Sequence, residues 1–257
     1  MRVMVINSGS SSIKFQLIDT AERKSLCRGM AERIGLDEGI FHFAKAGEEK
    51  RSRAVEIPDH KTGIALIENA ISGIGKIEAV GHRMVLGGED IRDAVVLNES
   101  TVAIIEKYTP LAPLHNPPTL AGFRAAREIF SSIPHVGVFD TAFHSTLEPK
   151  AYVYPLAYEC YEKHGIRRFG YHGTSHKYVA LRAAEIAGKP TKDFNCVTCH
   201  LGNGSSITAV RGGKSVDTSL GFGTMCGIPM GTRAGDFDPD IVLYLIERVG
   251  MKPSEVK

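Results

Sequence analysis

Cysteine is scarce in this sequence, with five among 257 residues. That is too few for a disulfide scaffold in a chain of this length. No apolar run is long enough to span a bilayer. Met1-Arg2-Val3-Met4-Val5-Ile6 reaches a polar turn after very few apolar residues, too short a stretch for the apolar region of a signal peptide. The formal net charge is only +2, with no basic arm or charge block, so neither nucleic acid nor a membrane is expected as a partner. There is also no low-complexity segment. What remains is 43% hydrophobic and 23% charged, a globular composition with material for one large or two modest cores. The expected compartment is the cytoplasm, with reduced thiols.

The most informative stretch is Val3–Leu17. An apolar strand enters the turn Asn7-Ser8-Gly9-Ser10-Ser11, and a second strand leaves it carrying Lys14. Small residues in such a turn expose backbone N–H groups that can grip phosphate. Val197–Leu201 likewise runs into Gly202-Asn203-Gly204-Ser205-Ser206 and then Ile207–Val210. Each loop alone could be an ordinary hairpin turn. Their repetition, both with Ser-Ser-Ile after a small-residue turn, suggests paired domains closing on a polyphosphate.

Alternation predicts strands over Arg2–Ile6, Ile13–Asp19, Cys27–Ile34 and Ile40–Ala44. Helical spacing follows over Asp59–Ser72. Ala79–Arg83 is a short buried strand and Glu99–Tyr108 a helix stopped by Pro110. Pro110–Pro118 is expected as stiff loop, Thr119–Phe130 as helix, and His135–Asp140 as a strand delivering Asp140 at its carboxyl end. Gly173-Thr174-Ser175 is expected to cap a helix over His176–Ala187. Two further strands and Ser215–Ser219 follow, then a helix from Asp240. A second helix start at Pro253 lies so near the end that the fold is expected to be incomplete. Hairpins followed by β–α alternation, twice over, predict a duplicated α/β fold.

Several familiar patterns fail on inspection. Gly213-Lys214-Ser215 lacks the first P-loop glycine, because position 208 is threonine. Gly202-Asn203-Gly204 lacks the third glycine of a dinucleotide fingerprint. Cys196-Val197-Thr198-Cys199-His200 matches a haem attachment motif, but core cysteines in a strand are the expected reading. His172 and His176 have zinc-pair spacing, yet His172 precedes the helix, where an anion is favoured instead. Arg83 and Arg233 sit beside glycines, as surface charges or as forks for carboxylate or phosphate. Asp140 stands where α/β folds place catalytic residues, or it caps a turn. His115, between prolines, suits a site residue or a packed loop.

Taken together, Val3–Leu17, Gly81–Glu89, Pro110–Pro117, Val136–His144, Arg167–Val179, His200–Ser206 and Ser215–Pro239 closely resemble the acetate kinase family, within the acetate/propionate/butyrate kinase group. The resemblance implies α/β architecture with duplicated ribonuclease-H-like domains of the actin/Hsp70/sugar-kinase type and a nucleotide cleft between them. Residues 1–142 would be the first domain, and 143–257 the N-terminal portion of an incomplete second. It implies a phosphotransferase with a carboxyl group as acceptor: reversible transfer between ATP and acetate, giving acetyl phosphate and ADP. By resemblance, Asn7 would help hold Mg²⁺ or Mn²⁺, and Lys14 would lie near the nucleotide phosphates. Arg83 would bind the acetate carboxylate, and Val85 and Leu114 would line the methyl pocket. Asp140 would be the catalytic carboxylate. His172 and Arg233 would stabilise the transferring phosphoryl group, with His115 and Tyr171 nearby. His200, Leu201, Gly202, Asn203 and Gly204 would form a phosphate loop. A homodimer is implied for the full-length protein.

The implied chemistry is coherent. Acetate is ionised near neutral pH and needs no strong base. Bringing two anions together calls for positioning and positive charge. On that view Asp140 orients a metal, its water or an arginine. Three departures bear on acid preference. The family's Arg-Val-Val-His-Gly-Gly is here Arg83-Met84-Val85-Leu86-Gly87-Gly88, its usual Phe is Tyr171, and its Thr-Pro-Leu-Glu-Gly is Gly223-Thr224-Met225-Cys226-Gly227. Propionate or butyrate kinase remains an alternative. So does a shortened, inactive paralogue that binds phosphate or a partner.

Overall fold

A computed structural model describes residues 1–256, which divide into two compact units, 1–143 and 144–256.

The first unit is built on a sheet of β1 (Arg2–Ser8), β2 (Ser12–Asp19), β3 (Lys24–Glu32), β4 (Ile40–Lys45), β5 (Arg51–Ala54), β6 (Ala79–Met84), β7 (Val95–Val96) and β8 (His135–Phe139). Their order is β5-β4-β3-β2-β1-β6-β8-β7. The first five strands form antiparallel hairpins, while β1, β6 and β8 run parallel. The helices are α1 (His60–Ile71), α2 (Glu99–Lys107) and α3 (Asn116–Ile129). Asp59 caps α1 by accepting from the Thr62 N–H at 2.7 Å, satisfying one orphan donor of the first turn. Ile64, Ile67 and Ile71 form its buried stripe and meet Met4, Ile6, Ile13 and Leu17 in the main core. Each such side chain contributes about 1.5–3 kcal/mol by leaving water.

Two elements lay below the sequence signal. Every residue of β5 is exposed, so no alternation marks it, and β7 has only two residues. The prolines misled as well. The stretch read as stiff loop to Pro118 is already helical from Asn116. Pro117 and Pro118 occupy the first turn, where no backbone N–H is needed. Gly122 brings α3 against β1 so closely that a Cβ there would meet the Ser8 hydroxyl at 2.4 Å.

The second unit contains α4 (Pro149–Tyr152), α5 (Tyr158–His164), α6 (Gly173–Ile186), β9 (Asn195–Leu201), β10 (Ser205–Arg211), β11 (Lys214–Thr218), α7 (Asp240–Glu247) and α8 (Pro253–Val256). The three strands form an antiparallel sheet, β11-β10-β9. Helix α6 starts at Gly173 with His172 at its N-cap, three residues earlier than expected. The glycine, threonine and serine read as a cap are its first turn. Cys196 is half-buried and Cys199 exposed, so neither is a core cysteine. They lie on β9, the sheet's edge, where Val197 and Leu201 are exposed too. Among the described residues, no helix is long and apolar enough to cross a membrane.

Beneath Phe123, His82 and His135 stack with ring centroids 5.2 Å apart, and His82 Nε2 lies 2.9 Å from His135 Nδ1. The Phe130 carbonyl accepts from His135 Nε2–H, so His135 Nδ1 is the acceptor and His82 Nε2–H the donor. Burial, then the neighbouring His135, pushes His82 from 6.5 down to about 3. Burial lowers His135 as well. The unfolded chain therefore takes up these protons first, and stability falls as pH drops from about 6.5 towards 3. Replacing His82 by Leu should lower stability at pH 7 by about 1–3 kcal/mol through loss of the His135 bond. It should also flatten the acid slope by about 1.4 kcal/mol per pH unit. Urea unfolding at pH 7, 6 and 5 reads both effects, and an unchanged slope would contradict the assignment.

Candidate active site

Two polar clusters stand out, one in each unit. In the first, Asn7, Arg83 and Asp140 sit at the carboxyl ends of the adjacent parallel strands β1, β6 and β8, where α/β sheets place ligands. Asp140 is 3% exposed. Its carboxylate accepts from Arg83 Nε at 3.1 and 3.2 Å and from Arg83 Nη2 at 2.5 Å. The third guanidinium nitrogen, Nη1, donates to Asn7 Oδ1 at 3.2 Å. This forked pairing fixes the plane of the guanidinium as well as its position. Lys14 is the cross-strand partner of Asn7, so the two share a face of the sheet, and Lys14 is exposed. The turn between them is tied down by the Gly9 N–H to Ser12 carbonyl bond, 2.7 Å, and by His60 Nε2–H donating to the Gly9 carbonyl at 2.8 Å.

Val85, two residues after Arg83, is buried. A residue that the sequence did not single out holds its neighbour. Asn116 is fully buried, accepts from the Leu86 N–H, and donates to the Leu86 and Ile105 carbonyls at 3.1 Å. Leu114 is 72% exposed, and His115, the N-cap of α3, is also exposed. Next to Asp140, the Thr141 hydroxyl is buried without a hydrogen-bond partner.

The second cluster surrounds His172, which is held in a left-handed conformation at φ 58°. Such a backbone costs about 1–3 kcal/mol and needs support. His144 supplies part of it by donating from Nε2 to the Tyr171 carbonyl at 3.0 Å while Nδ1 meets Ser215 Oγ at 2.9 Å. Burial lowers His144 to about 4, so it does this as a neutral ring. The Tyr171 hydroxyl donates to the Phe222 carbonyl at 2.9 Å. It thus ties His172's neighbour to the loop after β11.

His172 stacks on His200 at 4.1 Å, and His200 Nδ1 meets Ser175 Oγ at 2.9 Å. Gly202 and Gly204 close the turn between β9 and β10 through a 3.2 Å backbone bond. Leu201 and Asn203 are exposed around it. A Cβ placed on Gly204 would lie 3.3 Å from Arg233 Nη1 and 3.4 Å from His172 Nε2. An arginine and a histidine therefore converge on one point beside a glycine. Arg233 is aimed there by its Nη1 bond to the Thr224 carbonyl, 3.1 Å. The same loop is pinned by Asp236, which accepts from the Gly227 N–H at 2.6 Å.

Among the described residues, no group of three or more His, Cys, Asp or Glu side chains could hold a metal ion. Magnesium bound to phosphates needs only one or two protein oxygens. The Asn7 amide oxygen fits that lesser demand, while the Asp140 carboxylate is taken up by Arg83.

The sequence matches the family described as the Acetokinase family over residues 2–257. It is 50% identical to the acetate kinase of Thermotoga maritima over all of this chain and 65% of that protein. The crystal structure of Porphyromonas gingivalis acetate kinase superposes with a TM-score of 0.94 at 39% identity, covering 99% of this chain and 66% of that one. A propionate kinase from Francisella tularensis gives 0.93 at 40% identity with the same coverage. This chain thus spans 65% of the length of its Thermotoga relative.

Two substitutions test the geometry. Thr141→Val removes an unpaired buried hydroxyl while keeping the shape. It should leave stability unchanged or raise it by up to about 1–3 kcal/mol, whereas a loss of that size would reveal a hidden partner. Gly204→Ala should keep the melting temperature within about 2 °C, since a surface change of this kind moves stability by about 0.5 kcal/mol. It should weaken phosphate binding at the Arg233–His172 point at least tenfold, as read by calorimetry. Unchanged binding would separate this turn from the anion site.

Proposed function

This chain belongs to the acetokinase family, and from that premise we propose that the whole protein is an acetate kinase, transferring phosphoryl groups reversibly between ATP and acetate. The observation that carries the reading is the convergence of His172 Nε2 and Arg233 Nη1 beside Gly204. A phosphoryl group brings its negative charge to such a point. Arg83 would meet the acetate carboxylate, with Val85 and Leu114 beside the methyl group. Asp140 would serve by aiming Arg83, because its carboxylate is already occupied by that guanidinium. The His200–Gly204 turn and Lys14 would hold nucleotide phosphates, with His115 and Tyr171 at the margin. Mg²⁺ or Mn²⁺ carried by the nucleotide, with Asn7 contributing an oxygen, would neutralise phosphate charge.

The acetate oxygen would form a bond to the γ-phosphorus as the bond to the bridging oxygen breaks, with its electron pair leaving on ADP. No proton need move, since acetate is ionised at neutral pH. The rate enhancement would come from orientation and fixed positive charge. We read the two units as the duplicated ribonuclease-H-like domains, 1–142 and 143–257. The whole protein would be a cytoplasmic homodimer.

Propionate kinase is the second reading, favoured by the near-equal similarity to the Francisella enzyme. One methylene discriminates by only about 1–3 kcal/mol, so the acids must be compared directly. The whole protein should form acyl phosphate, trapped as hydroxamate, with the highest kcat/KM for acetate. Arg233→Ala should lower kcat by about 10²–10³. A preference for propionate would reassign the acid. No turnover with acetate, propionate or butyrate would overturn the kinase reading in favour of an inactive binding paralogue.

A further inference from the structure

On the phosphoryl-transfer reading above, we propose that Ser206 and His176 are positioning residues that keep a proton on His172 Nδ1, so that His172 donates from Nε2 only as an imidazolium. His176 is 1% exposed and Ser206 0%. Ser206 Oγ lies 2.8 Å from both His172 Nδ1 and His176 Nε2. A hydroxyl has one proton to give, so it can donate to only one of the two rings, and the other must donate to it.

The far end of the chain sets the direction. His176 Nδ1 lies 2.8 Å from Thr198 Oγ1, which also donates to the Thr208 carbonyl at 3.4 Å. A carbonyl only accepts, so the Thr198 proton is committed there, and Thr198 accepts from His176 Nδ1–H. His176 is neutral, because burial, then His144, His172 and His200, lower it to about 3. Its Nε2 therefore bears a lone pair and accepts from Ser206. Ser206 is left as acceptor for His172 Nδ1–H, and every atom of the relay is satisfied.

The consequence falls on Nε2, the atom facing the point shared with Arg233. A neutral His172 presents a lone pair there, which repels phosphoryl oxygens. A protonated His172 presents N–H and a full charge, and it keeps both protons throughout transfer. Among the described residues, the ionisable groups around it include His200, stacked on its face, His176 through Ser206, and Arg233 at the shared point, with His144 edge-on to His176 at 5.9 Å.

The first test needs no turnover. Histidine-selective ¹⁵N spectra of the whole, unliganded protein should show His172, assigned by its loss in His172→Asn, protonated at Nδ1 above its titration. A neutral form protonated at Nε2 would overturn the proposal while leaving the kinase reading intact. The second test is kinetic. Ser206→Ala should lower kcat about 10- to 100-fold, shift the alkaline limb of the kcat–pH profile, and leave KM for acetate within about twofold. His176→Gln keeps an acceptor for Ser206 and should restore most of the rate lost in His176→Leu. An unmoved pH limb in Ser206→Ala would overturn the relay. If that variant does not fold, the spectra of the unaltered protein decide the matter. Inactivity of the unaltered protein with every acid would instead sink the kinase reading.

Discussion

The Asp140 carboxylate is almost wholly withdrawn from water, and a buried carboxylate must find a cation or lose its charge. Arg83 meets that demand from the neighbouring strand, through a fork that leaves the guanidinium little freedom. The parallel order β1-β6-β8 makes the pairing possible, since it brings three strand ends side by side. Asn7 then takes the remaining edge of the guanidinium. A residue that would otherwise be a mobile surface cation becomes a fixed one. For the proposed reaction between two anions, a fixed cation would be worth more than a base, because acetate is ionised near neutral pH.

The second cluster is aimed differently, by neutral groups. His144 and His176 are both kept uncharged by burial, and each acts through hydrogen bonds of fixed direction. His144 holds the Tyr171 carbonyl, one residue before the left-handed His172. Gly170 allows this approach, because a Cβ there would meet the His144 ring at 2.7 Å. Arg233 is delivered from another direction by a loop whose turns need Gly227 and Gly235 at positive φ. The left-handed backbone at His172 and the turn at Gly204 thus bring His172 Nε2 and Arg233 Nη1 to one point beside a glycine.

Much of this was legible in the sequence. Asp140 was placed at a strand end by alternation, Asn7 in the turn after the first strand although β1 runs on to Ser8, and the Gly202–Gly204 turn by its glycines. Other parts were hidden for definite reasons. An exposed edge strand such as β5 carries no apolar period. Prolines in a first helical turn look like a loop. Cys196 and Cys199 lie in a strand, but a strand pattern does not reveal that β9 is an edge. Asn116 reads as one more polar loop residue until its three bonds to buried backbone are seen. The spacing of His172 and His176 was visible, and the structure puts His172 at the N-cap of α6 and His176 inside the helix. Their link is Ser206, which lies 34 and 30 residues away in the chain, so only the fold could supply it.

An arginine aimed by a buried carboxylate differs from a mere positive charge in its geometry, and that difference can be measured. Steady-state kinetics of the whole protein carrying Arg83→Lys would keep the charge and remove the fork. KM for acetate should rise about 10- to 100-fold, the worth of about 1.4–2.8 kcal/mol, with KM for ATP unchanged. An unaltered KM for acetate would contradict the assignment of Arg83 to the acid and, with it, the central role given to its pairing with Asp140.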